Sequence, residues 1–294
     1  MPIGKAFGSV VIIQDGLIDT VMPFNSLETK FEKSGQVWLK SGTTETDLTL
    51  FPDASIDFPY SGTTFSVAGE DILPRGITKD DTHFWVLGDT NNAAFKYTTA
   101  GVYTGTSFST GTEDSTPVGI VWDGTAFWVL GATNVVFKYT AAGSFTGTSF
   151  SVATELSAAT GITWDGTNFY VVGESTDKVF KYTAAGTFTG TSFSVGSEDT
   201  FPRDITWDGT HFWVIGLTTD KVYKYTAAGV FTGVSFRVSA EESSPTGIVW
   251  DASVNSFYVV GFIADAVFKY TAVNGIPTAK TDTSTGLPIY VRVK

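Results

Sequence analysis

Acidic side chains recur along this chain at regular intervals: Glu70-Asp71, Glu113-Asp114, Glu155, Glu198-Asp199 and Glu241-Glu242. Between them falls a second series, Asp89, Glu174, Asp177, Asp220 and Asp265. Carboxylates gathered from several segments supply hard oxygen ligands, suited to Ca2+ or to hydroxyl-rich ligands such as sugars. Glu70, Asp71, Glu113, Asp114, Glu198 and Asp199 are the candidate ligands for such an ion; no other cofactor is expected. The competing reading is a solvated acidic loop face, and it is preferred. No Asp-x-Asp-x-Asp-Gly loop is present, and tandem duplication copies loop residues without selecting them.

Arg75 and Arg203 hold equivalent places, where other copies have Val118, Thr160 and Thr246. An arginine there can grip a carboxylate ligand through two parallel bonds, or pair with the acids just named, which is the preferred reading. Asp204 stands where the other copies have Gly76, Gly119, Gly161 and Gly247. Glycoside hydrolysis needs two carboxylates facing one bond; one acid is not a pair, so hydrolysis is set aside. His83 and His211 precede strands in two non-adjacent copies and read as surface turn residues. Trp122, Trp164, Trp207 and Trp250 end apolar segments and are the candidates for stacking on a sugar. Trp85, Trp128 and Trp213 read as core. Lys96, Lys138, Lys181, Lys224 and Lys269 form a repeated basic position, expected to snorkel and to pair with acids between copies.

The elements that position these groups follow from self-similarity, the first thing to seek in a sequence. An aromatic-Val segment begins at Phe84, Phe127, Phe169, Phe212 and Phe257, at spacings of 43, 42, 43 and 45 residues. An aromatic-Lys-Tyr-Thr segment starts at Phe95, Phe137, Phe180, Tyr223 and Phe268, and Thr-Gly-x-Ser-Phe at Thr104, Thr146, Thr189 and Thr232. Each copy reads as four strands, with Asp-Gly supplying a tight hairpin turn. Helical periodicity is absent. Four antiparallel strands in 40–50 residues make a propeller blade. The expected fold is all-β: a five-bladed β-propeller over residues 62–272.

The fifth copy lacks a fourth strand, and a matching segment, 62–67, precedes the first copy. It is expected to complete the fifth blade and clasp the ring by strand exchange. Residues 1–60 do not repeat. Strands are expected there at 9–14, 19–24 and 36–40. A C-terminal strand within 276–294, at 287–294, is expected to return to that sheet, so that the propeller is inserted in a small β-rich anchoring domain.

The chain has 294 residues, a formal net charge of −12 and a pI near 4.5. Such acidity repels phosphates, which argues against nucleic-acid binding and against anionic membrane. With no cysteine, disulfides, thiolate metal sites and cysteine catalysis are excluded. The sequence opens without a basic-then-apolar leader, and no apolar run has the length of a membrane span, so neither secretion by a classical signal nor membrane insertion is expected.

The blades resemble NHL/YVTN-type propeller repeats, with an apolar first strand leading through a turn into an aromatic-Val second strand. Sugar-stacking tryptophans would resemble those of five-bladed, tachylectin-like lectins. Ser34-Gly35-Gln36-Val37-Trp38-Leu39-Lys40-Ser41-Gly42, followed by Phe51-Pro52-Asp53-Ala54, resembles a segment of bacteriophage tail fibre and tail-associated proteins. So does Gly286-Leu287-Pro288-Ile289-Tyr290-Val291-Arg292-Val293-Lys294. The resemblance implies a non-enzymatic virion appendage, tail-fibre or baseplate-associated. Its terminal domain would join other virion proteins, and its propeller would present a repeated face to a host-surface glycan or protein. No catalytic residue is implied. The alternatives are a lectin-like or scaffolding propeller without a virion role and, third, a glycosidase or lyase. Tail appendages are often trimers; no coiled coil is encoded here, and homo-oligomerisation stays open.

Overall fold

A computed structural model describes residues 58–272 and seven short strands outside them: Val11–Gln14, Leu17–Val21, Leu27–Phe31, Val37–Ser41, Thr44–Leu48, Lys280–Thr281 and Pro288–Ile289. The described residues are all-β, without a helix.

Residues 58–272 form a five-bladed β-propeller of four-stranded antiparallel sheets. Blade one comprises Pro74–Lys79, His83–Gly88, Ala93–Thr98 and Tyr103–Ser109. Blade two comprises Pro117–Trp122, Ala126–Gly131, Val135–Thr140 and Phe145–Ser151. Blade three comprises Ala159–Trp164, Asn168–Gly173, Lys178–Thr183 and Phe188–Ser194. Blade four comprises Pro202–Trp207, His211–Gly216, Lys221–Thr226 and Phe231–Arg237. Blade five takes Pro245–Asp251, Ser256–Gly261 and Ala266–Thr271, and its outer strand is Tyr60–Ser66. That strand pairs with register Ala266↔Ser66, Val267↔Phe65 and Phe268↔Thr64. The expected strand exchange therefore closes the ring.

The turns explain the strands. Asp123 Oδ1 accepts the amides of Thr125 (2.7 Å) and Ala126 (2.8 Å), and Gly124 takes φ 95°. A side chain acting as a turn acceptor, followed by a residue free of Cβ, reverses the chain in two residues. Blade-to-blade packing is aromatic. The buried phenylalanine at the second position of each second strand meets an aromatic of the preceding blade: Trp85–Phe127 at 4.8 Å, Trp128–Phe169 at 4.8 Å, Tyr170–Phe212 at 4.3 Å and Trp213–Phe257 at 4.8 Å. Tyr258–Phe84 at 4.3 Å completes the cycle. Each such pair contributes about 0.5–1.5 kcal/mol beyond its buried area. The five inner strands are neighbours in a closed circle.

Met1–Asp57 with Val273–Lys294 forms a second unit. There Val11–Gln14 pairs with Leu17–Val21, and Leu27–Phe31, Val37–Ser41 and Thr44–Leu48 make a three-stranded sheet. Of the strand expected at 287–294 only Pro288 and Ile289 are described, and they pair with Lys280–Thr281. Residues 9–10, 22–24 and 36 of the other expected strands lie outside the described residues, as do 34–35, 42 and 51–54 of the tail-like segment.

Candidate functional site

Antiparallel pairing puts two sets of loops on one end of the ring: those joining one blade to the next, and those between second and third strands. This end is called the loop face. The Asp-Gly turns lie at the other end.

The acidic loops are solvated only in part: Glu70, Glu113, Glu155, Glu198 and Glu241 keep some exposure, but the acids that follow four of them turn inward. Asp71, Asp114, Asp199 and Glu242 are buried, and each carboxylate is occupied by its own blade. Asp71 accepts the amides of Leu73 (2.8 Å), Thr90 (3.3 Å) and Asn91 (2.8 Å). Asp114 accepts the Thr116 amide (2.8 Å) and the Thr133 hydroxyl (2.5 Å). Asp199 accepts the amides of Phe201 (2.8 Å) and Thr219 (2.9 Å). Glu242 accepts those of Ser244 (2.7 Å) and Ala264 (3.0 Å). Each acid fastens the incoming loop to the loop beside it. In blade three Leu156, fully buried, takes the same place.

The preceding acid is used as regularly. Tyr97, Tyr139, Tyr182, Tyr225 and Tyr270 donate their hydroxyls to Glu70 (2.9 Å), Glu113 (3.0 Å), Glu155 (3.0 Å), Glu198 (3.0 Å) and Glu241 (3.2 Å). Burial, together with the adjacent carboxylate, pushes all five phenols far above their usual range. The candidate metal ligands are thus brought to one face but face protein donors. Among the described residues no three His, Cys, Asp or Glu side chains converge on a point that could hold a metal ion. A sequence signal for the buried acid does exist: glycine ends each second strand. A Cβ added to Gly88, Gly131, Gly216 or Gly261 would overlap the carboxylate of Asp71, Asp114, Asp199 or Glu242.

Asp204 lies where the inner strands converge. A Cβ on Gly76 would be 3.2 Å from Gly119 Cα, one on Gly247 would be 2.9 Å from Gly76 Cα, and one on Gly161 would overlap the Asp204 side chain. The Asp204 carboxylate is buried and bridges blades, accepting the amides of Ile205 (2.8 Å) and Ile248 (2.8 Å). Burial pushes its pKa well above the usual carboxylate value, against the lowering effect of the Ile248, Ile205 and Ile162 amides.

Arg75 pairs with Asp89 through Nη2 at 2.7 Å and Nε at 3.1 Å, and Arg203 pairs with Glu174 at 3.3 Å. At the other end, Trp122, Trp164, Trp207 and Trp250 are half-buried, packed at 4.5–4.6 Å on Phe127, Phe169, Phe212 and Phe257. The repeated lysines lie over the second-strand aromatic of their own blade, as Lys138 over Trp128 at 5.0 Å and Lys224 over Trp213 at 5.2 Å. This replaces the expected pairing between blades. Lys96, over Trp85 at 5.3 Å, also stands 3.9 Å from Asp80. His83 and His211, expected on turns, instead open the second strands of blades one and four; both are half-buried, each beside a threonine hydroxyl (Thr82, 2.7 Å; Thr210, 2.8 Å).

Composition alone missed an asymmetry of the loop face. Its exposed large apolar residues are Ile72, Phe201, Phe262 and Ile263, all on blades four, five and one, which are consecutive around the ring. Hydrogen bonds join these loops in series: Leu217 to Phe201 (2.9 Å), Val238 to Asp220 (2.9 Å), Ala264 to Glu242 (3.0 Å) and Val67 to Asp265 (2.8 Å). The part-exposed acids Glu70, Glu198, Glu241, Asp220 and Asp265 lie among them. Blades two and three carry Ser115, Thr116, Ser157 and Ala158 in the corresponding loops. The five blades therefore do not offer five equivalent sites.

No protein-family model and no curated protein matches the chain. Among solved structures, Myxococcus xanthus glutaminyl cyclase is similar in fold, with a TM-score of 0.58 and 11% identity over 73% of this chain and 95% of that one. A streptogramin B lyase structure matches at a TM-score of 0.44 and 16% identity, over 82% of this chain and 89% of that one. At such identity the likeness concerns the fold, which hosts many unrelated functions.

Proposed function

We propose that this chain is a non-enzymatic recognition module of a bacteriophage virion appendage, tail-fibre or baseplate-associated, acting on a host-surface partner through the loop face of blades four, five and one. The observation that carries the reading is the exposed group Ile72, Phe201, Phe262 and Ile263, set among part-exposed carboxylates. Exposed apolar residues gathered on neighbouring loops with a polar surround are suited to contact a partner. The charge around them selects a partner segment bearing apolar and basic side chains. The chain enters the ring at Phe58 and leaves it at Ala272 on the opposite, turn end, where the Thr271 amide donates to Pro59 O (3.3 Å).

The virion setting is supported by the tail-like segments 34–42, 51–54 and 286–294. The non-enzymatic reading is supported by Asp204, among the described residues the one acid where the inner strands converge, whose oxygens are taken up by backbone amides. Two measurements test the proposal. Mass spectrometry of purified particles should find the chain; its absence from particles would leave a scaffolding propeller. The full chain should bind intact bacterial cells saturably, with or without chelator. Binding confined to free glycans would replace this reading with a lectin.

A further inference from the structure

In every blade the residue closing the turn between second and third strands has a left-handed backbone: Asn92 (φ 47°), Asn134 (60°), Asp177 (51°), Asp220 (51°) and Asp265 (46°). Asn and Asp tolerate this region. The backbone frame is the same at all five seams. Each of these carbonyls accepts an amide from the loop leading into the next blade, from Thr110, Val152, Val195, Val238 and Val67 respectively, at 2.7 to 2.9 Å.

The side chains divide the ring. Asn92 donates from Nδ2 to Ser115 O (2.6 Å) and Asp89 O (3.0 Å). Asn134 donates to Ser157 O (3.1 Å) and accepts the Ala159 amide (2.9 Å). Both asparagines therefore tie their blade to the next by giving a proton to a loop carbonyl. At the remaining seams the residue is aspartate. Asp177, Asp220 and Asp265 each keep part of their surface exposed, but Oδ1 is sealed from solvent and has no hydrogen-bond partner. The carbonyls equivalent by position are those of Thr200, Ser243 and Ile72. An ionised carboxylate has nothing to donate to a carbonyl, whereas a carboxylic acid has the proton that the amide supplies.

The surrounding charges act in the same direction. Asp220 faces Asp199 and Glu242, with Arg237 opposing; Asp265 faces Asp71 and Glu242. At both residues burial is the largest influence and raises the pKa, and the net shift is upward.

We infer that Asp220 and Asp265 hold a proton in the closed ring, each donating from its carboxyl to the carbonyl of the following blade's loop, so that the seams between blades four and five and between five and one fasten in acid and slacken as pH rises. The sign follows from linkage. A carboxyl that binds its proton more tightly folded than unfolded contributes stability below its unfolded pKa, and that contribution is lost as pH rises through the folded value. These two seams carry Ile72, Phe262 and Ile263, so the device sits beneath the exposed apolar group, although it does not depend on a recognition role.

The test is thermal unfolding of the full chain from pH 4.5 to 8, followed by tryptophan fluorescence, with chelator and with added Ca2+. The double variant Asp220→Asn/Asp265→Asn should melt several degrees above the parent at pH 8 and converge with it at the acid end. The reciprocal change Asn134→Asp should add a loss of stability that grows as pH rises. Parallel curves for parent and double variant, or a reciprocal variant with no added pH dependence, would overturn the inference. So would Ca2+ raising the parent's melting point at pH 8 but not the double variant's, since the sealed oxygens would then belong to a cation.

Discussion

Asp204 Oδ2 accepts the Ile248 amide at 2.8 Å, joining the inner strands of blades four and five at a position where the other four blades have glycine. Oδ1 accepts the Ile205 amide, also at 2.8 Å. Removing the carboxyl leaves those amides without this acceptor. Asp204→Ala should cost about 1–3 kcal/mol of unfolding free energy, the range for a buried polar group deprived of its partner. Because burial raises this pKa, the contribution is fullest in acid and falls as pH rises through the folded value. Denaturant titration at pH 5 and pH 8 should show the larger loss at pH 5; an equal loss at both would remove the titration argument.

Acid should also weaken the ring, through other carboxylates. Asp208 Oδ2 accepts the Trp213 indole N–H at 2.7 Å, while Oδ1 accepts the Thr210 and His211 amides at 2.8 and 2.7 Å. Burial alone would raise its pKa, but these bonds outweigh burial and hold it below the usual value; Asp80 and Asp123 behave alike. The depressed pKa contributes stability above the unfolded value, lost as pH falls through the folded one. Asp208→Ala should cost about 1–3 kcal/mol at neutral pH, and most of that difference should vanish in strong acid. Urea titration of parent and variant at the two pH values checks this.

Ring closure rests on the segment before blade one. Phe58 is buried against Trp213 (5.2 Å), Phe236 (5.0 Å) and Phe257 (4.9 Å). Phe58→Ala should therefore destabilise by about 3–5 kcal/mol, as for other buried aromatics cut to alanine. Chemical denaturation measures it, and a loss below about 0.5 kcal/mol, the size of a typical surface effect, would mean that the closing strand contributes little.

How far the sequence specifies this molecule differs between fold and site. The phenylalanines at 84, 127, 169, 212 and 257 set the blade count because each must fill one seam. The missing fourth strand of the last copy located its replacement at 62–67, since an unpaired strand edge would otherwise remain; the strand itself runs Tyr60–Ser66, starting two residues earlier and ending one earlier. Side-chain direction was less accessible. The acids at 71, 114, 199 and 242 look like loop charges in a one-dimensional reading, yet they turn inward to backbone amides beside glycine. The lysines are drawn to the ring faces of their own blades, an effect of cross-strand register. The grouping of Ile72, Phe201, Phe262 and Ile263 depends on loops far apart in the chain meeting around a closed ring, and the seam aspartates stand out only beside Asn92 and Asn134.

The central claim concerns which end of the ring meets a partner, and one comparison tests it most directly. Saturation binding of the full chain to host cells is measured for the parent, for Phe262→Ser/Ile263→Asp on the loop face, and for Val230→Asp, an exposed residue at the turn end. The account predicts at least a tenfold loss of affinity, about 1.4 kcal/mol, for the loop-face variant and none for Val230→Asp. Unchanged binding by the loop-face variant, with loss in Val230→Asp, would contradict it and assign recognition to the turn end.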